Sequence, residues 1–281
     1  MNRIGIVGGG FVGNAMYENF KGIFDVHVWD TNEDKRTIST LESFVEWAEL
    51  IFICVPTPTK DGGACDTSIV ESVVEQISNL DRNKFIVIKS TVPPGTSSRL
   101  AEKFGMRIAF NPEFLTERNS VKDFRDQELI VIGADNFDVE TAMTFVYYRF
   151  LNTTGNVGRT HVIKRSTKEA EVFKYLANCF LATKVMFANE FKILCDKIDV
   201  DYSKIAELAA LDKRLGHTHW RVPGPDGQLG FGGSCFPKDT SALLAFADEV
   251  ETSLWLLTEA TYINDDLRNN KMYESLRVIE E

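Results

Sequence analysis

The run Arg3-Ile4-Gly5-Ile6-Val7-Gly8-Gly9-Gly10-Phe11-Val12-Gly13 decides how the rest of the chain is read. Arg3 to Val7 is a short buried-strand pattern, and a helical run follows from about Asn14 to Phe20. Between them, Gly8, Gly10 and Gly13 keep the G-x-G-x-x-G spacing. The first glycine allows a tight turn, and the second lets backbone approach a pyrophosphate. The third lets the helix pack on the strand, with its N-terminal amides facing the phosphate. A second strand pattern, Asp25 to Asp30, ends in an acid placed about twenty residues past the glycines. An acid there accepts from a ribose hydroxyl and repels a 2′-phosphate. In register, these features predict a dinucleotide site that includes Gly8, Gly10, Phe11, Val12, Gly13 and Asp30, with NAD favoured over NADP. Lys35 is placed either to touch the adenosine end or to be solvated.

Strand and helix patterns continue to alternate. Apolar runs at 50–55, 84–89, 106–110 and 129–133 read as further strands, with a helix over about 66–79. Such runs predict a parallel sheet covered on both faces, a Rossmann-like doubly wound α/β fold. Ligands of these sheets lie beyond the carboxyl ends of the strands. Val55-Pro56-Thr57, Ser90 to Thr96 and Asn111 to Glu117 each follow a strand and so belong to that rim. Proline, glycine, serine and asparagine also serve plain turns. Glu113 and Glu117 are harder to dismiss, because acids beside a dinucleotide cost free energy unless they are used; solvated rim acids are the alternative.

The second part reads as helical. No proline or glycine interrupts the stretch from Thr167 to Lys197. Its apolar positions (Phe173, Leu176, Ala177, Phe180, Leu181, Val185, Phe187) recur at helical spacing. A helix that long commonly links two lobes and supplies a dimer face. Lys174 and Asn178 share one face at i, i+4, as a ligand-binding pair or an ordinary polar one. A helix at about 203–211 is followed by an aperiodic segment through Leu229, as in a binding loop or a disordered one. Then comes Gly230-Phe231-Gly232-Gly233-Ser234-Cys235-Phe236-Pro237-Lys238-Asp239. Its glycines let a ligand come close, and Pro237 suits the first turn of a helix. Helix amides pointing back at Cys235 would favour thiolate, the nucleophilic form. A glycine loop beside an inert, buried cysteine is the alternative. Helices over about 240–248 and 252–279 end the chain. The expected domains are 1–165, carrying NAD, and 166–281, helical and carrying Cys235.

Composition narrows the class. At 281 residues, two domains are expected. A formal charge of −10 argues against a nucleic-acid binder. No apolar run is long enough to cross a bilayer. Met1-Asn2-Arg3-Ile4 enters a strand at once, leaving no room for a signal peptide. Five widely spaced cysteines without a CxxC pair, and only four histidines, point away from zinc and disulfides and towards a reducing cytoplasmic setting. His217 and His219 lack the partner pattern of a metal site, and no metal is expected.

Together the motifs resemble those of the nucleotide-sugar dehydrogenase family of UDP-glucose 6-dehydrogenase and GDP-mannose dehydrogenase. The matching stretches are Gly8–Gly13, Cys54–Pro58, Ser90–Thr96, Asn111–Glu117, Lys174–Asn178 and Gly230–Asp239, in the family's order. The resemblance implies a four-electron oxidation of a sugar C6 alcohol to a carboxylate with two NAD, UDP-glucose being the leading substrate. It implies that Cys235 is the nucleophile and that Asp239, Lys174 and Asn178 hold the catalytic water and steady the oxyanion. Glu113 would do acid/base work and Thr91 would bond the same water. Glu117, Thr91, Val55, Pro56 and Thr57 would line the cofactor. Phe114, Leu115, Lys174, Asn178, Phe231, Gly232 and Gly233 would contact substrate. Arg214 would reach a neighbouring subunit's substrate, so a homodimer through 167–197 is implied. Family members usually continue into a third α/β domain, and this chain stops after its final helix. Two other readings use the same first domain: a catalytically impaired NAD-binding protein, and a 6-phosphogluconate or β-hydroxyacid dehydrogenase, which needs one NAD and no cysteine.

Overall fold

The computed structural model describes residues 1–269. The chain divides into two compact units, Met1–Pro58 with Asp66–Lys174, and Thr59–Cys65 with the chain from Tyr175 onward.

The first unit is a seven-stranded sheet: β1 (Arg3–Val7), β2 (Asp25–Trp29), β3 (Leu50–Ile53), β4 (Phe85–Ile88), β5 (Arg107–Phe110), β6 (Leu129–Ala134) and β7 (His161–Arg165). The spatial order is β2-β1-β3-β4-β5-β6-β7. Neighbours from β2 to β5 run parallel. The parallel sheet expected from the apolar runs is found, save for one antiparallel pairing. β6 meets β5 antiparallel through only Ala109↔Ala134 and Phe110↔Gly133, and β7 follows β6 in parallel. Apolar runs record burial on both faces and carry no strand direction.

Alternation along each strand builds two apolar layers. On one face, Leu50 and Phe52 join Met16 and Phe20 of α1 (Phe11–Phe20) and Met143, Tyr147 and Phe150 of α6 (Phe137–Thr154). On the other, Ile51 and Ile53 meet Phe44 of α2 (Leu41–Trp47), Leu100 of α4 (Thr96–Phe104), and α3 (Ser68–Leu80). α3 shows the helical period plainly, burying Val70, Val73, Val74 and Ile77. α1 begins at Phe11, directly after Gly8–Gly10 and with Gly13 in its first turn, three residues earlier than its apolar period indicates, because Gly10 supplies an extended N-cap. A short α5 (Ser120–Arg125) completes the unit.

The second unit is helical: the later part of α7 (Thr167–Lys197), then α8 (Tyr202–Leu211), α9 (Phe236–Glu249) and α10 (Trp255–Arg268). Its core joins Ala182 and Met186 to Phe231, Ala260 and Leu267. The helix expected over 252–279 is present over Trp255–Arg268, and residues 270–281 lie outside the described residues. At 31 residues α7 is about 45 Å long. Its buried stripe is more polar than its apolar spacing implies. Glu171, Lys174, Asn178 and Asn189 are buried, whereas Leu176, Phe180, Phe187 and Leu194 are each more than half exposed.

Candidate functional site

The glycine turn between β1 and α1 divides its labour as the spacing predicts. Gly8 has φ +98°, and a Cβ there would lie 2.5 Å from the Cys54 carbonyl oxygen. A Cβ on Gly13 would lie 1.9 Å from the Gly8 carbonyl oxygen, so only glycine lets the helix start against the turn. Gly10 differs: nothing stands within 4 Å of the place its Cβ would take. That open space at a helix N-terminus fits a pyrophosphate. Phe11 and Val12 open the helix, both half-buried. Asp30 ends the β2 segment, where its Oδ2 accepts from Gly9 N at 2.6 Å and its Oδ1 from Asn32 N at 2.8 Å. Lys35 packs its Cβ close to Gly9. These residues fit an adenine dinucleotide. Among the described residues, no group of three or more His, Cys, Asp or Glu could hold a metal ion.

The loops after β3, β4 and β5 hold the other first-unit candidates. Ser90 Oγ donates to Val55 O at 2.7 Å, tying two of these loops together. Thr57 and Thr91 are buried and Pro56 is exposed. Glu113 is buried, and its Oε2 accepts from Leu115 N at 2.8 Å. Lys174 Nζ lies 3.0 Å from Glu113 Oε1 and 2.5 Å from the Glu113 carbonyl oxygen. Burial alone would raise the Glu113 pKa. The Lys174 ammonium, the Leu115 amide and the charge of Lys89 outweigh it and hold the carboxyl below its ordinary value. The Phe114 ring lies 5.3 Å from Lys174 Nζ, Leu115 is half-buried, and Glu117 is exposed in a short 3₁₀ turn.

In the second unit, Cys235 is the N-cap residue of α9, with Pro237 in the first turn. Asp239, one turn in, is 1% exposed. Its Oδ2 accepts from Asn178 Nδ2 at 2.6 Å, and its Oδ1 lies 2.5 Å from Lys238 Nζ. Both oxygens of a buried carboxylate thus have charged or polar donors, which a buried charge requires. Lys238 is absent from the residues singled out by sequence. A cation next to an acid in the first turn of a helix was the available signal, hidden by the usual rule that adjacent residues face apart.

The glycines before Cys235 serve the protein more than a ligand. A Cβ on Gly230 would meet Asn264 Oδ1 at 2.4 Å, and one on Gly232 would meet Arg268 Nη2 at 2.5 Å. Asn264 Oδ1 also accepts from Phe231 N at 2.7 Å. Only Gly233, at φ +77°, faces open space. The Phe231 side chain is buried in the core of the second unit, so what it offers outward is backbone. The aperiodic segment before this loop is ordered by side chains. Lys184 Nζ donates to Leu215 O at 2.9 Å and sits 4.4 Å from the Trp220 ring centroid, while Tyr202 OH donates to Trp220 O at 2.8 Å. The Arg214 side chain is 87% exposed, with its guanidinium on Asp212 at 2.6 Å.

Among the described residues, no helix is long and apolar enough to cross a membrane.

Comparison with known proteins matches two family models along the chain. The model of the UDP-glucose/GDP-mannose dehydrogenase family NAD binding domain matches residues 26–151, and that of the family's central domain matches residues 168–266. The chain is 41% identical to a UDP-glucose 6-dehydrogenase of Rickettsia bellii over 201 residues, 69% of this chain and 44% of that protein. It is 38% identical to the UDP-glucose 6-dehydrogenase of Pseudomonas aeruginosa over 225 residues, 76% of this chain and 47% of that one. The chain spans about half the length of the curated relatives it matches. Among solved structures, a UDP-glucose dehydrogenase from Pyrobaculum islandicum superposes with a TM-score of 0.82 at 29% identity, covering 94% of this chain and 68% of that one. A 3-hydroxyisobutyrate dehydrogenase of Mycobacterium tuberculosis shares the fold at a TM-score of 0.75 but only 16% identity, over 95% of this chain and 93% of that one. With both family models matched in order along one chain, the protein belongs to the UDP-glucose/GDP-mannose dehydrogenase family and carries that family's NAD-binding and central domains.

Proposed function

We propose that the chain oxidises the C6 alcohol of a nucleotide sugar to a carboxylate, with UDP-glucose giving UDP-glucuronate as the preferred case. Bound NAD supplies the hydride acceptor for each of two oxidations. The observation that carries the reading is Cys235 at the N-terminus of α9, one turn from the buried Asp239. After the alcohol has become an aldehyde, the Cys235 sulfur adds to its carbon and the oxygen takes a proton, forming a thiohemiacetal. Loss of hydride from that carbon and of the hydroxyl proton leaves a thioester. Water attacks the thioester carbon, the carbon–sulfur bond breaks, and the carboxylate departs as the thiol is restored. A helix N-terminus favours the thiolate that both the first and last of these steps require. Asp239, fixed by Asn178 and Lys238, orients the water. Glu113, kept ionised beside Lys174, accepts its proton, and Thr91 hydrogen-bonds it. Lys174 and Asn178 offer donors to the developing oxyanion, a kind of stabilisation worth about 3 kcal/mol per donor.

The cofactor contacts follow the cradle: Gly8–Gly13 for the pyrophosphate, Asp30 and Lys35 for the adenosine end, Val55, Pro56, Thr57, Thr91 and Glu117 towards the nicotinamide. Substrate contacts are Phe114, Leu115, Arg214, the backbone at Phe231 and Gly232, and the open side of Gly233. The exposed Leu176, Phe180, Phe187 and Leu194 of α7 support a homodimer through this helix, whose apolar faces would otherwise meet water. Sedimentation of the wild type against Phe180→Glu reads that directly. We place the protein in the cytoplasm, in keeping with the scarcity of paired cysteines.

The decisive experiment counts NADH formed per UDP-glucose consumed. Two per sugar, abolished in Cys235→Ser, is the expected result. One per sugar, or unchanged turnover in Cys235→Ser, overturns the thioester route and favours a one-step alcohol dehydrogenase.

A further inference from the structure

Lys89, at the end of the β4 segment, is a lysine where the surroundings call for an apolar residue. It is 3% exposed, and its Nζ lies 5.8 Å from the Phe124 ring centroid. Among the described residues no carboxylate pairs with it directly. Its Nζ donates instead to Asn111 Oδ1 at 2.7 Å and reaches the Asn111 carbonyl oxygen at 3.4 Å. Asn111 is itself 1% exposed. Its Nδ2 donates to Val131 O at 2.7 Å, its backbone N to Ile88 O at 2.9 Å, and its Oδ1 also accepts from Tyr147 OH. One asparagine thus ties the ends of β4 and β5 and the middle of β6 to α6, and Lys89 grips it. Glu113 lies two residues further on.

A hydrogen bond to Asn111 does not need a charge; glutamine would make it without the cost of burying an ammonium. The charge must therefore have a use nearby. The groups around Lys89 are Cys54 after β3, Glu113 after β5, Tyr147 on α6 and Lys174 on α7. Burial pushes the Cys54 thiol up to about 12 and the Tyr147 phenol up as well, so both are neutral. Glu113 is the one anion of the group, and it feels two lysines: Lys174 in contact and Lys89 through the low-dielectric interior. We propose that Lys89 is a positioning residue for Glu113, fixing through Asn111 the turn that presents the carboxylate and placing a second buried positive charge behind that turn. Burial lowers Lys89 itself to about 8, so its positive charge is in place at neutral pH.

The kinetic part of this inference rests on the role given above to Glu113; the electrostatic part does not, and the test separates them. The whole chain carries ¹³C-labelled glutamate carboxyls, with the Glu113 resonance assigned by its loss in Glu113→Gln. Lys89→Gln keeps a hydrogen-bonding group without charge and Lys89→Met keeps neither. Both should move the Glu113 titration upward by at least about half a unit, while Lys89→Arg leaves it near wild type. In turnover, kcat should fall roughly tenfold in Lys89→Met and less in Lys89→Gln, with KM for NAD within about twofold of wild type. A Glu113 titration unchanged in Lys89→Gln overturns the proposal; a shifted titration with unchanged kcat in both variants of an active enzyme overturns its kinetic part and the role given to Glu113. If Lys89→Met does not fold, Lys89→Gln alone decides. Absence of turnover in the wild type strikes the proposed function and leaves the titration to judge Lys89.

Discussion

Lys174 Nζ stands 3.0 Å from Glu113 Oε1 and also donates to the Glu113 backbone carbonyl, with both side chains almost wholly buried. The lysine therefore fixes the charge and the backbone of the acid at once. Lys174→Met leaves a buried carboxylate without its direct partner, a change that costs about 3 to 5 kcal/mol when the remaining charge cannot escape. Thermal unfolding should show that loss near neutral pH. The sign on pH follows from the depressed Glu113 value. The stabilisation is present above the ordinary carboxyl value of 4.5 and disappears as pH falls through the lower folded value. The gap in melting temperature between wild type and Lys174→Met should therefore narrow on acidification. A gap that widens in acid would mean the pair does not hold Glu113 ionised.

Gly10 and Gly13 should respond oppositely to alanine. At Gly13 the added Cβ would fall 1.9 Å from the Gly8 carbonyl oxygen, so Gly13→Ala should unfold the turn or lower the melting temperature markedly. At Gly10, with φ −72° and no atom within 4 Å, alanine should leave stability within about 0.5 kcal/mol. It would nevertheless occupy the space assigned to the pyrophosphate. NAD affinity measured by calorimetry should drop at least tenfold in Gly10→Ala while its melting curve stays put, a loss of about 1.4 kcal/mol in binding. Equal affinity in that variant would move the dinucleotide away from this turn.

Glu171 offers a stability test at a residue given no part in the chemistry. It is buried on α7, and its carboxylate accepts from Gly95 N at 2.5 Å and Ser97 N at 2.8 Å, capping α4 from another helix. Burial raises its pKa, the Asp135 charge adds to this, and the hydrogen bonds from Ser97 and Gly95 only partly offset them. A raised carboxyl contributes stability that is complete below the ordinary value and is lost as pH rises through the folded one. As pH rises above the ordinary carboxyl value of 4.5, the wild type should thus lose melting temperature by more than Glu171→Gln does. Parallel curves for the two proteins would show that Glu171 ionises as freely folded as unfolded.

Much of the first unit was legible because its signals are local. The glycine spacing, the apolar strand runs and the acid at Asp30 each constrain a few consecutive residues, and the turn, strand and helix follow from backbone sterics and burial. The placing of Pro237 two residues after Cys235 likewise foretold a helix near there, although the expected span of about 240–248 begins four residues after the observed start at Phe236. The pairing of Lys174 with Glu113 was less legible, since helical spacing alone left Lys174 an ordinary polar residue and only the family resemblance set the two beside one chemistry.

By itself the sequence determined the dinucleotide fold, the long uninterrupted helix and the cysteine at a helix start, because periodicity and φ preferences act within a few residues. Tertiary structure alone decided that β6 reverses direction, that Thr59–Cys65 joins the second unit, and that Gly230 lies against Asn264 and Gly232 against the Arg268 guanidinium. It also decided that Lys89 lies under Glu113's turn instead of in water. Each of these depends on which distant segment packs alongside. That is fixed by how the whole chain buries its apolar surface and satisfies its buried polar groups, and no local pattern records it.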